Sequence, residues 1–371
     1  MIDTLPALID FCQRALQADC LALDTEFVWD RTYYPKLGVI QVGLSADECH
    51  LIDAPAIEDL SALGAVIADP SIVKILHDAQ QDLTILKRAT GAYPRNVFDT
   101  RCAAGLAGMS STSSLADLLE NVIGVSLEKS ETRTDWLQRP LSNEQVAYAI
   151  EDICYLHETR DKLLERIGAM GREEWLREEL EAYDSPALYD ERDEREQYER
   201  VKGTGRISPR EGAIVRELAA WRESEAKRRD RPRSHVLGDE AIVLLARRKP
   251  RSLEDVKNLR GLPRRDLDRI IELVRIGLEV PDDQCPRRPR RRRRMDDDAF
   301  EEMLARAMSH LRSTSESHAL DAPFVASRAE VRGLVSAGAQ SSGEQFRILR
   351  GWRRDLVGNE LLQLVSGNGT H

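Results

Sequence analysis

Cys20-Leu21-Ala22-Leu23-Asp24-Thr25-Glu26-Phe27 reads as a buried strand that runs straight into charge. On a strand, side chains two positions apart share a face, so Asp24 and Glu26 project side by side from the strand's end. Two adjacent carboxylates repel each other unless something neutralises them, and a divalent cation does so readily. Taken alone, Asp-x-Glu is also an ordinary feature of strand ends.

Outward from this strand the pattern alternates. Residues 37–44 (Leu-Gly-Val-Ile-Gln-Val-Gly-Leu) read as a second strand and His50-Leu51-Ile52-Asp53 as a short third. A helix over 57–68 and a strand over 72–76 follow. Asp78-Ala79-Gln80-Gln81 has the spacing of a capping box, with Asp78 as N-cap of a helix running toward Arg88. Further helices are expected over 101–106, 114–122 and 144–166. Three consecutive strands and then mixed elements predict an α/β domain with a mixed sheet flanked by helices.

The segment 172–199 is densely charged and reads as one helix plus a linker through 202–205. From Ser208 the pattern is all-helical. Ile214, Leu218 and Trp221 mark one face, Ile242, Leu245 and Ala246 another, and Leu267, Ile270, Ile271 and Val274 a third. Seven arginines lie among residues 287–294, broken only by Pro289, and a last helical unit spans about 299–365. The expected division is a first domain over 1–170, a charged helix and linker over 171–207, a helical domain over 208–281, an arginine-rich linker over 282–298 and a diverged helical domain over 299–371.

With 371 residues, 42% of them hydrophobic, the chain can bury one sizeable core and one or two smaller ones. The N-terminus shows no basic region followed by an apolar stretch, and no apolar run approaches membrane-spanning length. The six cysteines (Cys12, Cys20, Cys49, Cys102, Cys154, Cys285) show no Cys-x-x-Cys pairing. A cytoplasmic protein with no membrane role and no obligate protein partner is the expectation. The net charge of −10 conceals an asymmetry: residues 1–200 hold 19 basic and 38 acidic side chains, residues 201–371 hold 35 and 26. An acidic half joined to a basic half suits a nuclease that gathers carboxylates around metals and recruits its polyanion elsewhere. The acidic stretch 173–199, read as a solvated helix, accounts for part of that difference.

Tyr148 and Asp152 stand i and i+4 on a helix and share a face. Ala147, Ala149, Ile150, Ile153 and Cys154 make that helix apolar on nearly every side, so a carboxylate there needs a partner. A tyrosine hydroxyl bonded to its own helix neighbour would satisfy it.

Together, Asp24, Glu26, Asp82, Tyr148 and Asp152 have the order of the exonuclease superfamily named for its four acidic residues, in its tyrosine variant. The surrounding strings narrow the resemblance to ribonuclease D: Leu23-Asp24-Thr25-Glu26-Phe27, Arg31-Thr32-Tyr33-Tyr34-Pro35, Leu37-Gly38-Val39-Ile40-Gln41, His77 five residues before Asp82, Lys129-Ser130-Glu131-Thr132-Arg133-Thr134-Asp135-Trp136, Arg139-Pro140-Leu141, and Tyr148-Ala149-Ile150-Glu151-Asp152. Five motifs in the correct order make coincidence improbable. The resemblance implies a ribonuclease-H-like fold and 3′→5′ hydrolysis of RNA to nucleoside 5′-monophosphates with two divalent cations, Mg2+ or Mn2+. It places Asp24 between both metals, Glu26 and Asp152 completing the hydroxide-generating site, Asp82 on the second metal through water, and Tyr148 orienting the attacking water. It names transfer-RNA precursors as substrate. Phe27 would stack on the terminal base or simply pack under the sheet. Thr25, His77, Arg133 and Trp136 complete the expected substrate contacts, with a structural role at the strand end the stronger reading for His77.

The helical part resembles the HRDC domain shared by RecQ-type helicases and ribonuclease D, on Leu218, Trp221, Arg222, Ala226, Pro232, Leu253, Leu259, Gly261 and the helix 267–274. The match is weaker in the last unit, on Phe324, Ala326, Ser327, Arg328, Ile348, Gly351, Trp352 and Arg353. Arg222, Lys227, Arg228 and Arg229 form a basic cluster that could grip phosphates. The same helix also carries Glu223 and Glu225, which suit a solvated charged surface. Two other functions share these residues: a 3′→5′ DNA exonuclease of proofreading or helicase-associated type, and a catalytically inactive nucleic-acid-binding scaffold.

Overall fold

A computed structural model describes residues 1–127, 134–257, 259, 261–286, 297–338 and 341–366. It divides into two compact units. The first comprises Met1–Phe27, Leu37–Tyr189 and Arg293–His371; the second comprises Val28–Lys36 and Asp190–Arg292.

The first unit is built on five strands: β1 (Cys20–Val28), β2 (Lys36–Ser45), β3 (Glu48–Asp53), β4 (Val73–Leu76) and β5 (Val97–Asp99), in the order β3-β2-β1-β4-β5. β2 and β3 pair antiparallel with Ile40 opposite Ile52, whereas β4 runs parallel to both β1 and β5, with Ala22 opposite Ile75 and Leu76 opposite Asp99. The sheet is mixed, as the element order predicts. Central β1 is covered on both faces, which explains its unbroken apolar run. Leu21 and Leu23 enter a core with α1 (Leu5–Ala15), α2 (Ser61–Ala68) and α3 (Gln80–Thr90). Ala22 enters another with α4 (Thr100–Leu106), α5 (Leu115–Ile123), α6 (Asn143–Cys154) and α7 (Leu156–Ala169).

The sequence reading misses α1 and the three-residue β5, and other boundaries differ for physical reasons. Asp78 does not cap α3. It takes a left-handed backbone (φ 58°), and its carboxylate pairs with Arg101. The N–H groups of Asp78 and Ala79 are instead taken by the Asp99 carboxylate, each at 3.1 Å. The expected helix over 144–166 is two helices. Ser142 and Gln145 form a capping box on α6, and the chain leaves helical geometry at Tyr155 (ψ −5°), whose carbonyl accepts from the Thr159 hydroxyl at 2.8 Å. The break lets α6 lie against β3 while α7 packs on α4 and α5. The charged segment forms α8 (Glu173–Glu181) and then short 3-10 turns, because Tyr189 buries in the core and Tyr183 donates to Asp99 at 2.5 Å.

Residues 297–366 add α14 (Asp297–Ser317), α15 (Ala322–Val325), α16 (Arg328–Ala337), α17 (Gly351–Arg353) and α18 (Asn359–Ser366) to the same unit. Read from sequence as a module of their own, they share one continuous core with the sheet, running from Ala22 and Ile75 through Leu311 to Trp352 and Leu361. Trp352 stacks on Trp175 of α8 with ring centres 4.8 Å apart. Gly105 in α4 admits the Phe324 ring so closely that a Cβ there would lie 2.8 Å from it.

The second unit holds α9 (Pro209–Arg229), α10 (Arg233–Val236), α11 (Asp239–Arg248), α12 (Leu253–Val256) and α13 (Leu267–Glu279) around Ile214, Leu218, Ile242, Leu245, Ile270 and Val274. Ser208 and Glu211 form a capping box at the start of α9. Gly277 brings α13 against Ile214, where a Cβ would lie 2.6 Å from the Ile214 Cα. No helix among the described residues is long and apolar enough to cross a membrane.

Candidate active site

Four carboxylates and a tyrosine come together at the end of β1. Asp24 and Glu26 leave the strand on the side of α6, whose Ile153 shares a core with Ala22. Tyr148 and Asp152 come from α6 itself, and the tyrosine hydroxyl donates to the Asp152 carboxylate. Asp82 arrives from α3 on the other face of the sheet. Thr25, which alternation turns toward that face, donates its hydroxyl to Asp82 Oδ1. Helices from the two faces therefore close over one strand end, and an intervening residue of β1 ties Asp82 to it.

The electrostatics follow from crowding. Asp24 is partly buried, and burial raises its proton affinity well above the usual carboxylate range, with Asp82, Asp152 and Glu26 adding repulsion. Burial pushes Glu26 up to about 8, with further repulsion from Asp152 and Asp82. Asp82 and Asp152 are each raised to about 6, burial again first among the causes, while the Thr25 and Tyr148 hydroxyls pull them back. Burial raises the Tyr148 phenol too, so it stays a donor throughout the physiological range. Among the described residues no group of three or more His, Cys, Asp or Glu stands ready-made to hold a metal. The donor set nevertheless fits a hard divalent cation, because it is all oxygen and its mutual repulsion is what a cation relieves.

The remaining expected contacts fall out unevenly. Phe27 continues β1 beside Glu26 and is half-buried. Trp136 is buried, its ring centre 6.1 Å from that of Tyr148, and its backbone packs so tightly on Gly38 that a Cβ there would lie 2.5 Å from the Trp136 carbonyl. His77 has both ring nitrogens engaged, with the Thr100 hydroxyl at 3.0 Å and the Ser113 carbonyl at 3.2 Å, which makes it a structural tie. Arg133 lies outside the described residues.

In the second unit the four basic residues singled out from the sequence are already paired. Arg222 holds Asp239 at 2.6 Å, Lys227 holds Glu191 at 2.7 Å, Arg228 holds Glu225 at 2.7 Å and Arg229 holds Asp266 at 2.7 Å. The cluster is thus largely neutralised within its own unit.

Two supporting residues escaped the sequence reading. Asp99 accepts from the backbones of Asp78, Ala79 and Arg101 and from the Tyr183 hydroxyl, and so sets the start of α3 three residues before Asp82. Its one visible signal was its place ahead of a helix. Arg139 donates to both oxygens of Asp53 at 2.7 and 2.8 Å, and to the carbonyls of Gly38 at 2.9 Å and Trp136 at 2.8 Å, clamping the Trp136 loop to β2 and β3.

The model of the 3′–5′ exonuclease family matches residues 1–168, and that of the HRDC domain matches residues 211–275. Fold and site together define a 3′→5′ exonuclease followed by a helical HRDC domain. Ribonuclease D of Desulfotalea psychrophila is 45% identical over 258 residues, 70% of this chain and 69% of the relative. Ribonuclease D of Nitrobacter hamburgensis is 34% identical over 374 residues, covering 99% of this chain and 95% of the relative. The crystal structure of Escherichia coli RNase D, an exoribonuclease involved in structured RNA processing, superposes with a TM-score of 0.88 at 30% identity over 98% of each chain. The chain belongs to the ribonuclease D family of 3′→5′ exoribonucleases.

Proposed function

We propose that the protein trims RNA 3′ ends with two divalent cations, Mg2+ or Mn2+, held by Asp24, Glu26, Asp82 and Asp152, and that transfer-RNA precursors are its substrate. The observation that carries this reading is the set of four acids that β1, α3 and α6 bring together, each held above the usual carboxylate range by burial first, with Asp82 and Asp152 adding repulsion at both Asp24 and Glu26. Held by these carboxylates, divalent cations would supply charge neutralisation at the scissile phosphate and lower the proton affinity of the attacking water.

This chain's residues do the rest by holding atoms in place. Thr25 fixes the Oδ1 of Asp82. Tyr148 holds Asp152 and presents a hydroxyl that orients water toward the phosphorus in line with the departing oxygen. The bond from phosphorus to the penultimate nucleotide's 3′ oxygen breaks. The shortened RNA keeps a 3′ hydroxyl, and a nucleoside 5′-monophosphate leaves. Phe27 stacks the terminal base, and Trp136 backs Tyr148. The likeness to the Escherichia coli enzyme over nearly the whole chain supports a structured RNA as substrate.

The test is degradation of a 5′-labelled single-stranded RNA, with a matched DNA strand alongside. A ladder of shortening products and nucleoside monophosphates, lost in Asp24→Ala and in chelator, is the expected result. RNA left intact by the wild type while still bound would point to the scaffold reading, and equal rates on DNA to the DNA exonuclease.

A further inference from the structure

The second unit contains a cavity of about 410 Å³ lined by Gln197, Arg200, Arg222, Arg233, Ser234 and Asp239. Gln197 and Arg200 stand on a 3-10 turn, Arg222 on α9, Arg233 and Ser234 on α10, and Asp239 on α11, so four segments within residues 197–239 converge on it. We propose that this cavity is a binding site for a single phosphorylated nucleotide.

The lining carries bonding capacity that the fold leaves unused. Gln197 is 5% exposed, yet its amide makes no hydrogen bond among the described residues and borders the cavity. That amide is open to the cavity, so a ligand can take up its donors and its acceptor. Arg222 is equally buried. Its Nη1 donates to the Leu237 carbonyl at 3.2 Å and to Asp239 at 2.6 Å, which holds the guanidinium in one orientation at the cavity wall. Arg233 is fixed by Glu223 (Nε to Oε2 2.5 Å, Nη2 to Oε1 2.7 Å) and by the Tyr33 ring 4.8 Å beneath it. Arg200 forms no ion pair among the described residues.

Arg222 is paired with Asp239 and Arg233 with Glu223, so three guanidiniums against two carboxylates leave one net positive charge, that of Arg200, and the cavity favours an anion. Guanidiniums held in fixed orientation suit the oxygens of a phosphoryl group. The volume exceeds what a bare phosphate needs and falls in the range of small-ligand sites. Asp239 already accepts from Arg222 and from the Lys202 N–H at 2.9 Å, and with the Gln197 amide and the Ser234 hydroxyl it can pair with ribose hydroxyls or base edges. A nucleoside phosphate offers both kinds of group. The source is either a free nucleoside 5′-monophosphate or one nucleotide of an RNA strand.

The experiment uses the full chain carrying Asp24→Asn, in excess chelator, so that hydrolysis and cation-dependent binding at the carboxylates are removed. Calorimetric titration with 5′-AMP is expected to show one site, with adenosine and inorganic phosphate each weaker by roughly tenfold or more. In parallel, a fluorescent single-stranded RNA is titrated by anisotropy. Arg200→Ala and Gln197→Leu are each expected to weaken the ligand roughly tenfold at unchanged thermal midpoint; the neutral Gln197→Leu separates a shaped site from general charge attraction. If AMP binds and both variants weaken it, the free nucleotide is a ligand. If AMP is silent but both variants weaken RNA, the strand supplies the nucleotide. Neither AMP nor RNA affinity responding to both variants overturns the proposal. Because no hydrolysis is read, this outcome is independent of whether the carboxylate site cleaves RNA.

Discussion

The Thr25 hydroxyl donates to the Asp82 carboxylate across 57 positions of sequence, joining β1 to the helix on the opposite face from Tyr148 and Asp152. Thr25 is itself buried, so this bond has no water to replace it. Thr25→Val keeps the shape and removes the donor. We expect activity to fall about tenfold, from roughly 1–2 kcal/mol of lost placement, with a higher Mg2+ concentration needed for half-maximal rate. A Mg2+ titration of activity checks this, and an unchanged midpoint would remove Thr25 from the positioning of Asp82.

Tyr148→Phe leaves the ring against Trp136 and deletes only the hydroxyl that bonds Asp152. The rate on RNA is expected to drop about 100-fold, with substrate affinity and thermal midpoint near wild type. Single-turnover kinetics beside RNA binding separates the two quantities. A loss confined to binding contradicts the assigned role.

Divalent cations should stabilise the protein, and more so as pH rises. Glu26 held near 8 and Asp82 and Asp152 near 6 keep protons in the native state that the unfolded chain has released. Because the native state then binds more protons than the unfolded one, stability in chelator falls as pH rises from about 4, through about 6 for Asp82 and Asp152 and up to about 8 for Glu26. A cation that needs deprotonated ligands reverses that slope. The Mg2+-induced rise in thermal midpoint is expected to be larger at about pH 8 than at about pH 6 and to vanish in Asp24→Asn. An equal rise at both pH values counts against the cluster as the cation site.

Arg353 is 2% exposed, reaches Glu179 and the carbonyls of Val325 (2.9 Å) and Phe324 (3.1 Å), and lies 4.2 Å over the Trp352 ring. Arg353→Met takes the cation from Glu179, which keeps only the Trp352 Nε1–H at 2.9 Å, and the side-chain donor from the Val325 carbonyl, in a core continuous with the sheet. A loss of roughly 3–5 kcal/mol is expected, in a single transition of the sheet-bearing unit. Denaturant unfolding followed at the tryptophans tests it; an early separate transition for the C-terminal helices would show that the shared core does not couple them.

The reacting residues were legible because chemistry demands particular side chains in a particular order. Asp24 and Glu26 announce themselves by strand alternation, and Tyr148 and Asp152 by one helical turn. Asp78 was misassigned because Asp-x-x-Gln is a local cue. The amides it seemed to serve belong to Asp99, which reaches them only because β5 lies beside β4. The single helix over 144–166 failed for the same kind of reason, since apolar periodicity continues through Tyr155 while the packing of α6 and α7 differs. Basic residues of α9 looked like a phosphate-gripping surface because Asp239 and Asp266, which neutralise two of them, come from later segments.

By itself the sequence determined the strand that ends in acid, the helices that carry the other site residues and the family to which they belong. These are carried by periods of two and 3.6 residues and by side-chain type, both written within a few positions of the chain. Tertiary structure alone decided that Thr25 would hold Asp82, that the C-terminal helices would share the sheet's core, that the basic cluster would be spent on internal pairs, and that Gln197 and Arg200 would line one cavity with Arg222 and Arg233. Each of these depends on residues distant in sequence meeting at hydrogen-bonding or van der Waals distance, and burial of the whole apolar surface, rather than any local pattern, selects which of them meet.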